Sequence, residues 1–206
     1  MAPLRRLWLF ERSAMLGLML SRRRVLGAMG LGCAAVASPR LAFATLARAI
    51  TLPELVGLSR YALVGTATDA FSRWEAVGNS RRIVTYTRVE VTQPIDGRPP
   101  PDTSLMLRTL GGRVGDLGQL VHGEARFEIG AESVMFVAPD EDGVFGITAM
   151  AQGHYPLGAD ADSAIRLRAS PNVPALTRVE GSAVQRLAKR TVLEAEGLVS
   201  GIMHAR

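Results

Sequence analysis

The sequence predicts a mainly β fold, a five- to six-stranded antiparallel barrel followed by a C-terminal helix. Three observations carry this expectation. Five short runs rich in β-formers follow one another at hairpin spacing, no long helical pattern separates them, and the composition changes character only after Leu157. At 206 residues, 48% of them hydrophobic, the chain is long enough for one domain with its own core and too ordinary in composition for a disordered one.

Residues 52–58 (LPELVGL) place Pro and Glu at the start of a short segment with apolar residues at helical spacing, as in one short helix or turn. Residues 61–68 (YALVGTAT) are dense in β-formers and small residues and continue toward Trp74, which makes them the first strand. Residues 76–82 (AVGNSRR) carry turn chemistry. The next run, 83–91, alternates over nine positions, with Ile83, Thr85, Thr87, Val89 and Val91 on the barrel side and Val84, Tyr86, Arg88 and Glu90 on the other. Residues 96–102 (DGRPPPD) have to be a loop, because three prolines remove donors and fix φ. Residues 105–110 resume as a strand, and 132–137 with 144–149 flank PDEDG as a hairpin. Beyond Leu157, residues 158–163 are small and acidic and residues 170–174 contain two prolines, as in a linker. Residues 182–196 set Val184, Leu187, Ala188 and Leu193 on one helical face behind a Ser182 cap. The organisation expected is a leader at 1–44, a barrel domain at 45–157, and a linker with an amphipathic helix at 158–206.

The formal charge of +5 is concentrated in the leader. Residues 1–44 hold seven arginines and one acid, which leaves 17 basic and 18 acidic side chains in residues 45–206, a formal charge of −1. A body of that balance lacks the basic stripe that nucleic acids require, so a nucleic-acid partner is excluded from the expectations. The leader residues Ser21, Arg22, Arg23, Arg24, Val25 and Leu26 resemble the twin-arginine signature of bacterial export signals. An uncharged run at 25–37, too short to span a bilayer, follows them. Ala42, Phe43 and Ala44 then supply a small-x-small pattern with cleavage expected before Thr45; 35–37 and 47–49 are fallback patterns, and Met15 or Met19 is an alternative start to Met1. The expected location is periplasmic or secreted, with no membrane association after cleavage; a retained anchor through residues 7–20 is the alternative. Cys33 is the single cysteine, so the body at 45–206 can form no disulfide, thiol nucleophile or cysteine zinc site.

The succession LSRYALVGTATDAFSRWE, RRIVTYTRVEVTQPI, SLMLRTLGG and ARFEIGAESVMFVAPDEDGVFGITAMAQGHYPLG, over about residues 58–157, resembles uncharacterised exported bacterial proteins. More distantly it is similar to the netrin-like modules of tissue metalloproteinase inhibitors. The features shared are a small-residue first strand, a long second strand before a Pro/Gly loop, and a turn from Phe127 to Gly130 entering an apolar strand. The resemblance implies an OB-like barrel and a protein partner in the envelope or among secreted proteins, a protease being one candidate. The inhibitors' zinc-chelating N-terminal cysteine has no counterpart here.

Candidate chemistry is sparse. The glycine-rich stretch Gly111, Gly112, Gly115, Asp116 and Gly118, continued through His122 and Glu124, matches no phosphate-loop spacing and reads as a flexible loop between strands. Its glycines permit close backbone approach, so it is the candidate binding surface. Residues 140–143 (DEDG) lack the remainder of a twelve-residue calcium loop and read as a solvated hairpin tip. His122 with Glu124, Asp116 and His154 is the one set that could assemble a metal or acid–base site, at a spacing that matches no established metal motif. No Gly-x-Ser-x-Gly elbow occurs, and Trp74 and Tyr86 read as barrel packing ahead of a stacking platform. The expectation is therefore an exported, non-enzymatic binding or accessory protein without catalytic residues, metal or cofactor. The alternative is an exported metal-dependent hydrolase using His122, Glu124 and His154.

Overall fold

The computed structural model describes residues 46–140 and 143–205. The signal motif from Ser21 to Leu26, the cleavage residues Ala42, Ala44 and Thr45, and two positions of the 140–143 tip lie outside the described residues. The elements are β1 (Leu46–Arg48), α1 (Leu52–Leu58), β2 (Tyr61–Val77), β3 (Ser80–Pro94), β4 (Ser104–Leu110), β5 (Gly112–Val114), β6 (Leu117–Gln119), β7 (Glu132–Pro139), β8 (Phe145–Ile147), β9 (His154–Ala159), β10 (Ile165–Leu167), β11 (Ala175–Thr177), α2 (Ala183–Leu187) and α3 (Val192–His204).

Five strands close a barrel in the order β2-β3-β4-β8-β7, with β7 returning to β2. Numbered along the barrel this is 1-2-3-5-4, the OB-type arrangement. It departs from a wholly antiparallel barrel at one seam, β4 against β8, which run parallel. An odd number of strands cannot close with every neighbour antiparallel, so one parallel seam is unavoidable. Beyond β8, the same edge of β7 pairs with β9, and β10 extends the sheet from there.

The long β2–β3 pair bends at bulges between Val64 and Gly65 and between Ala67 and Asp69, which lets β2 leave β7 while staying paired to β3. At the first bulge a Cβ on Gly65 would lie 2.6 Å from Val89 Cγ1 and 2.7 Å from the Glu90 carbonyl, so the approach admits only glycine.

Two cores result. Inside the barrel, Leu63, Val89, Leu105, Leu107, Met135 and Val137 pack with Tyr61. On the outer side of β2 and β7, Val64, Val134 and Phe136 are covered by Leu52 and Leu55 of α1 and by Leu187, Ala195 and Val199 of α2 and α3. The segment α1 starts where it does because Thr51 and Glu54 form a capping box, Oγ1 accepting from Glu54 N–H at 3.3 Å and Oε2 accepting from Thr51 N–H at 2.9 Å.

The C-terminal region corrects two expectations. The linker contains β10, and β11 pairs in parallel with β1. The single helix over 182–196 is two helices. Lys189 N–H donates to the Leu167 carbonyl at 2.7 Å and Leu167 N–H to the Arg190 carbonyl at 2.8 Å, an interaction with β10 that pulls the chain out of helix, with Lys189 at φ 68°. Thr191 and Glu194 then nucleate α3 with a second capping box. Leu193, expected in the buried stripe, is 77% exposed, and Ala183, Leu187, Ala195 and Val199 are the buried positions instead. Among the described residues no helix is long and apolar enough to cross a membrane.

Candidate functional site

The barrel interior changes chemistry along its length. On β3 the inward residues run Val91, Val89, Thr87, Thr85, and on β4 they run Leu105, Leu107, Thr109, so an apolar end gives way to a band of hydroxyls, with Ile83 beyond it. Phe127 packs against the apolar core where the two meet.

The glycine-rich stretch builds the wall of this polar end. It is an ordered hairpin of β5 and β6, a correction to the flexible loop expected, and its turn is made at Gly115 with φ 59°. Gly111 and Gly112 lie against the threonines. A Cβ on Gly112 would collide with Thr85 Oγ1 and lie 2.5 Å from Ser72 Oγ, and its φ of 129° is itself open to glycine alone. Thr85 Oγ1 donates to the Gly111 carbonyl at 2.6 Å, which leaves Ser72 Oγ to donate to Thr85 Oγ1 at 2.8 Å. Ile83 N–H donates to Gln119 Oε1 at 2.8 Å and ties β6 to β3. The result is a cavity of about 320 Å³ with Arg126 at its edge. Thr87, buried on its floor, directs a hydroxyl that has no hydrogen-bond partner among the described residues.

The remaining candidates separate. Asp116 and Gly118 lie exposed on the hairpin, outside the cavity lining, and His122 is exposed beyond it. Glu124 is buried; burial pushes its carboxyl above the ordinary range, against the N–H groups of Leu110 and Ala125 and the charge of Arg108. His154 is buried on β9, where its Nε2 lies 3.1 Å from Ser133 Oγ and Phe127 covers its ring at 4.5 Å. Among the described residues no three His, Cys, Asp or Glu side chains come together as a metal-ligand set, so His122, Glu124 and His154 do not form the site considered for them.

Trp74 and Tyr86 fall on opposite faces of the β2–β3 pair, because Trp74 pairs with inward Ile83 and Tyr86 with Phe71. Tyr86 is held on the outer face by Phe71, stacked at 5.3 Å, and by Arg73 over its ring at 4.7 Å. Its hydroxyl donates to Glu75 Oε1 at 2.5 Å, beside Arg73 at 2.7 Å and Arg108 at 3.1 Å, and Arg108 reaches on to Asp140 at 3.1 Å. Burial pushes the Glu75 carboxyl up, but these three donors outweigh it and hold the group below the ordinary carboxylate range. The cluster joins β2, β3, β4 and the end of β7, a structural tie between strands.

Sequence reasoning missed Thr87, Thr109, Arg126, Ser133 and Arg168, all of which line cavities. A signal for the threonines was present: two polar residues at inward positions of the most regular strand break the binary pattern of a packed barrel. Comparison with protein-family models, with curated proteins and with solved structures returned no match.

Proposed function

We propose that the chain is an exported, non-enzymatic binding protein that takes a small polar ligand in the hydroxyl-lined mouth of its barrel. The observation that carries this reading is the unpartnered Thr87 hydroxyl in a cavity of about 320 Å³ beside a guanidinium, Arg126, that has no partner among the described residues. The hydroxyl opens into the cavity, where a ligand with one acceptor or donor takes the place of water. Export through the twin-arginine route and cleavage before Thr45 belong to the same reading. In their favour, β1 begins at Leu46, so that cut leaves the β1–β11 pairing whole, whereas a cut at the 47–49 pattern would remove it. The netrin-like resemblance enters as architecture, without the inhibitory chemistry.

Two measurements test the reading. N-terminal sequencing of exported material is expected to begin at Thr45, and a mature protein that retains Met1 or Met19 would overturn the export assignment. A thermal-shift screen of sugars, amino acids and small organic acids is expected to return stabilising solutes; at a hundred times its Kd a ligand contributes about 2.7 kcal/mol. Those shifts are expected to collapse in Thr87→Val, which keeps the shape and removes the hydroxyl. Equal shifts in both proteins would overturn the assignment of the mouth.

A further inference from the structure

The segment between β6 and β7 borders a second cavity, of about 330 Å³, that shares only Arg126 with the mouth. Its floor is Ser133 of β7 and His154 of β9, brought together because β9 pairs with β7 from Ser133 to Met135. Both are buried, His154 to 1% exposure, and the Nδ1 of the imidazole has no partner in the structure. The walls are apolar, from Ala131, Pro156, Leu157 and Pro171. The rim carries two exposed arginines. Arg126 makes no interaction with another described residue, and Arg168 gives one Nη2 hydrogen bond to the Ala159 carbonyl, which leaves its other donors free. Glu128 is the one acid on the lining, so the rim is net positive.

Rim and floor call for different groups. Two guanidinium groups with spare donors suit a carboxylate. The floor suits a neutral group, since burial holds the imidazole uncharged, with its pKa lowered to about 4, and an anion placed there would have no counter-charge. A hydroxyl is both donor and acceptor, so it suits the Ser133–His154 pair in either tautomer of the ring. The apolar walls between rim and floor suit a short carbon chain, and the volume is at the small end for ligand pockets.

We propose that this cavity binds a small hydroxycarboxylic acid, its carboxylate on Arg126 and Arg168 and its hydroxyl against the Ser133–His154 pair. The inference stands on this cavity alone and holds whether or not the mouth takes a ligand.

The experiment titrates the full-length protein by calorimetry with lactate and 3-hydroxybutyrate, each against the acid of the same skeleton without the hydroxyl, propionate and butyrate. At least one hydroxy acid is expected to bind ten times more tightly than its partner. Arg126→Gln with Arg168→Gln, both surface changes that leave the core intact, is expected to weaken the hydroxy acid by tenfold or more. Ser133→Ala and His154→Gln are expected to erase the preference for the hydroxyl while leaving the weak binding of the plain acid in place. Equal affinities within both pairs, absence of binding at millimolar concentrations, or an affinity unmoved by the double arginine change would each overturn the proposal. Should His154→Gln fail to fold, the arginine pair and the hydroxyl comparison in the unaltered protein still decide it.

Discussion

The interior of the barrel and the layer outside it are both buried, but they are built by different means. The interior is filled by strands alone, through alternate residues of β2, β3, β4 and β7. The outer layer brings together Val64, Val134 and Phe136 from the barrel, Leu52 and Leu55 from its N-terminal side and Leu187, Ala195 and Val199 from its C-terminal side. Strand β7 belongs to both, with Met135 and Val137 inward and Val134 and Phe136 outward, all fully buried, and accordingly it reads as a continuous apolar run. Strand β3 lies away from the helices and keeps a solvent face at Arg88 and Glu90. A strand's own pattern thus reports how many of its faces are covered, without reporting what covers them.

The barrel interior is the more sensitive of the two regions. Val89→Asp places an unpaired carboxylate at a fully buried position inside the barrel and is expected to cost about 4 kcal/mol or more, measured by urea unfolding. On the outer side, Leu187→Ala empties a fully buried site beneath α2 and is expected to cost about 2–5 kcal/mol. If Leu187→Ala left the unfolding midpoint unchanged, the helices would be an appendage to the barrel and the two-core description would fail.

At the barrel's edge, stability depends on pH. His154 has a pKa of about 4 in the folded chain against 6.5 unfolded, because burial disfavours its charged form. Between those values the unfolded chain binds the extra proton, so stability falls as the pH drops from 6.5 toward 4, by about 3 kcal/mol in all. Glu124, whose carboxyl is raised, works in the opposite sense, being stabilising at low pH and less so as the pH rises. The difference between the protein and His154→Gln isolates the histidine, and the variant is expected to lose that part of the slope. Identical slopes would mean that His154 is not held neutral.

The smallest effect is the control for the strand's two faces. Arg88→Ala, one residue from Val89 and on the solvent side, is expected to change stability by less than about 0.5 kcal/mol. Equal losses at 88 and 89 would reject the alternation on which the barrel rests.

Alternation placed β3, since side chains that change sides at every residue are a property of extended backbone and of no helix, and β-former density with turn chemistry placed β2, β4 and the β7–β8 hairpin. The shorter strands were not legible. Three residues, as in β5, β6, β10 and β11, are too few to display a period, and in β5 and β6 glycines replace the side chains that would carry it. The break between α2 and α3 was hidden because Val184, Leu187, Ala188 and Leu193 continue a plausible stripe; the competing hydrogen bonds come from Leu167, some twenty residues away in the chain.

The candidate site divides along the same line. Gly111 and Gly112 were singled out for close backbone approach, and that approach is what they make, onto Thr85 and Ser72. Arg126, Arg168, Ser133 and His154 drew no such notice as a group, because nothing in their order along the chain announces that β9 returns beside β7.

Local chemistry in the sequence determined the strand faces, the proline loop, the capped start of α1 and the glycines of the hairpin, because each depends on dihedral preference or on residues within a few positions of one another. Tertiary structure alone decided the parallel β4–β8 seam, the helical cover over β7 and the two cavities that meet at Arg126. Those depend on which distant segments share an edge, and closing a five-stranded barrel settles that for the whole chain at once.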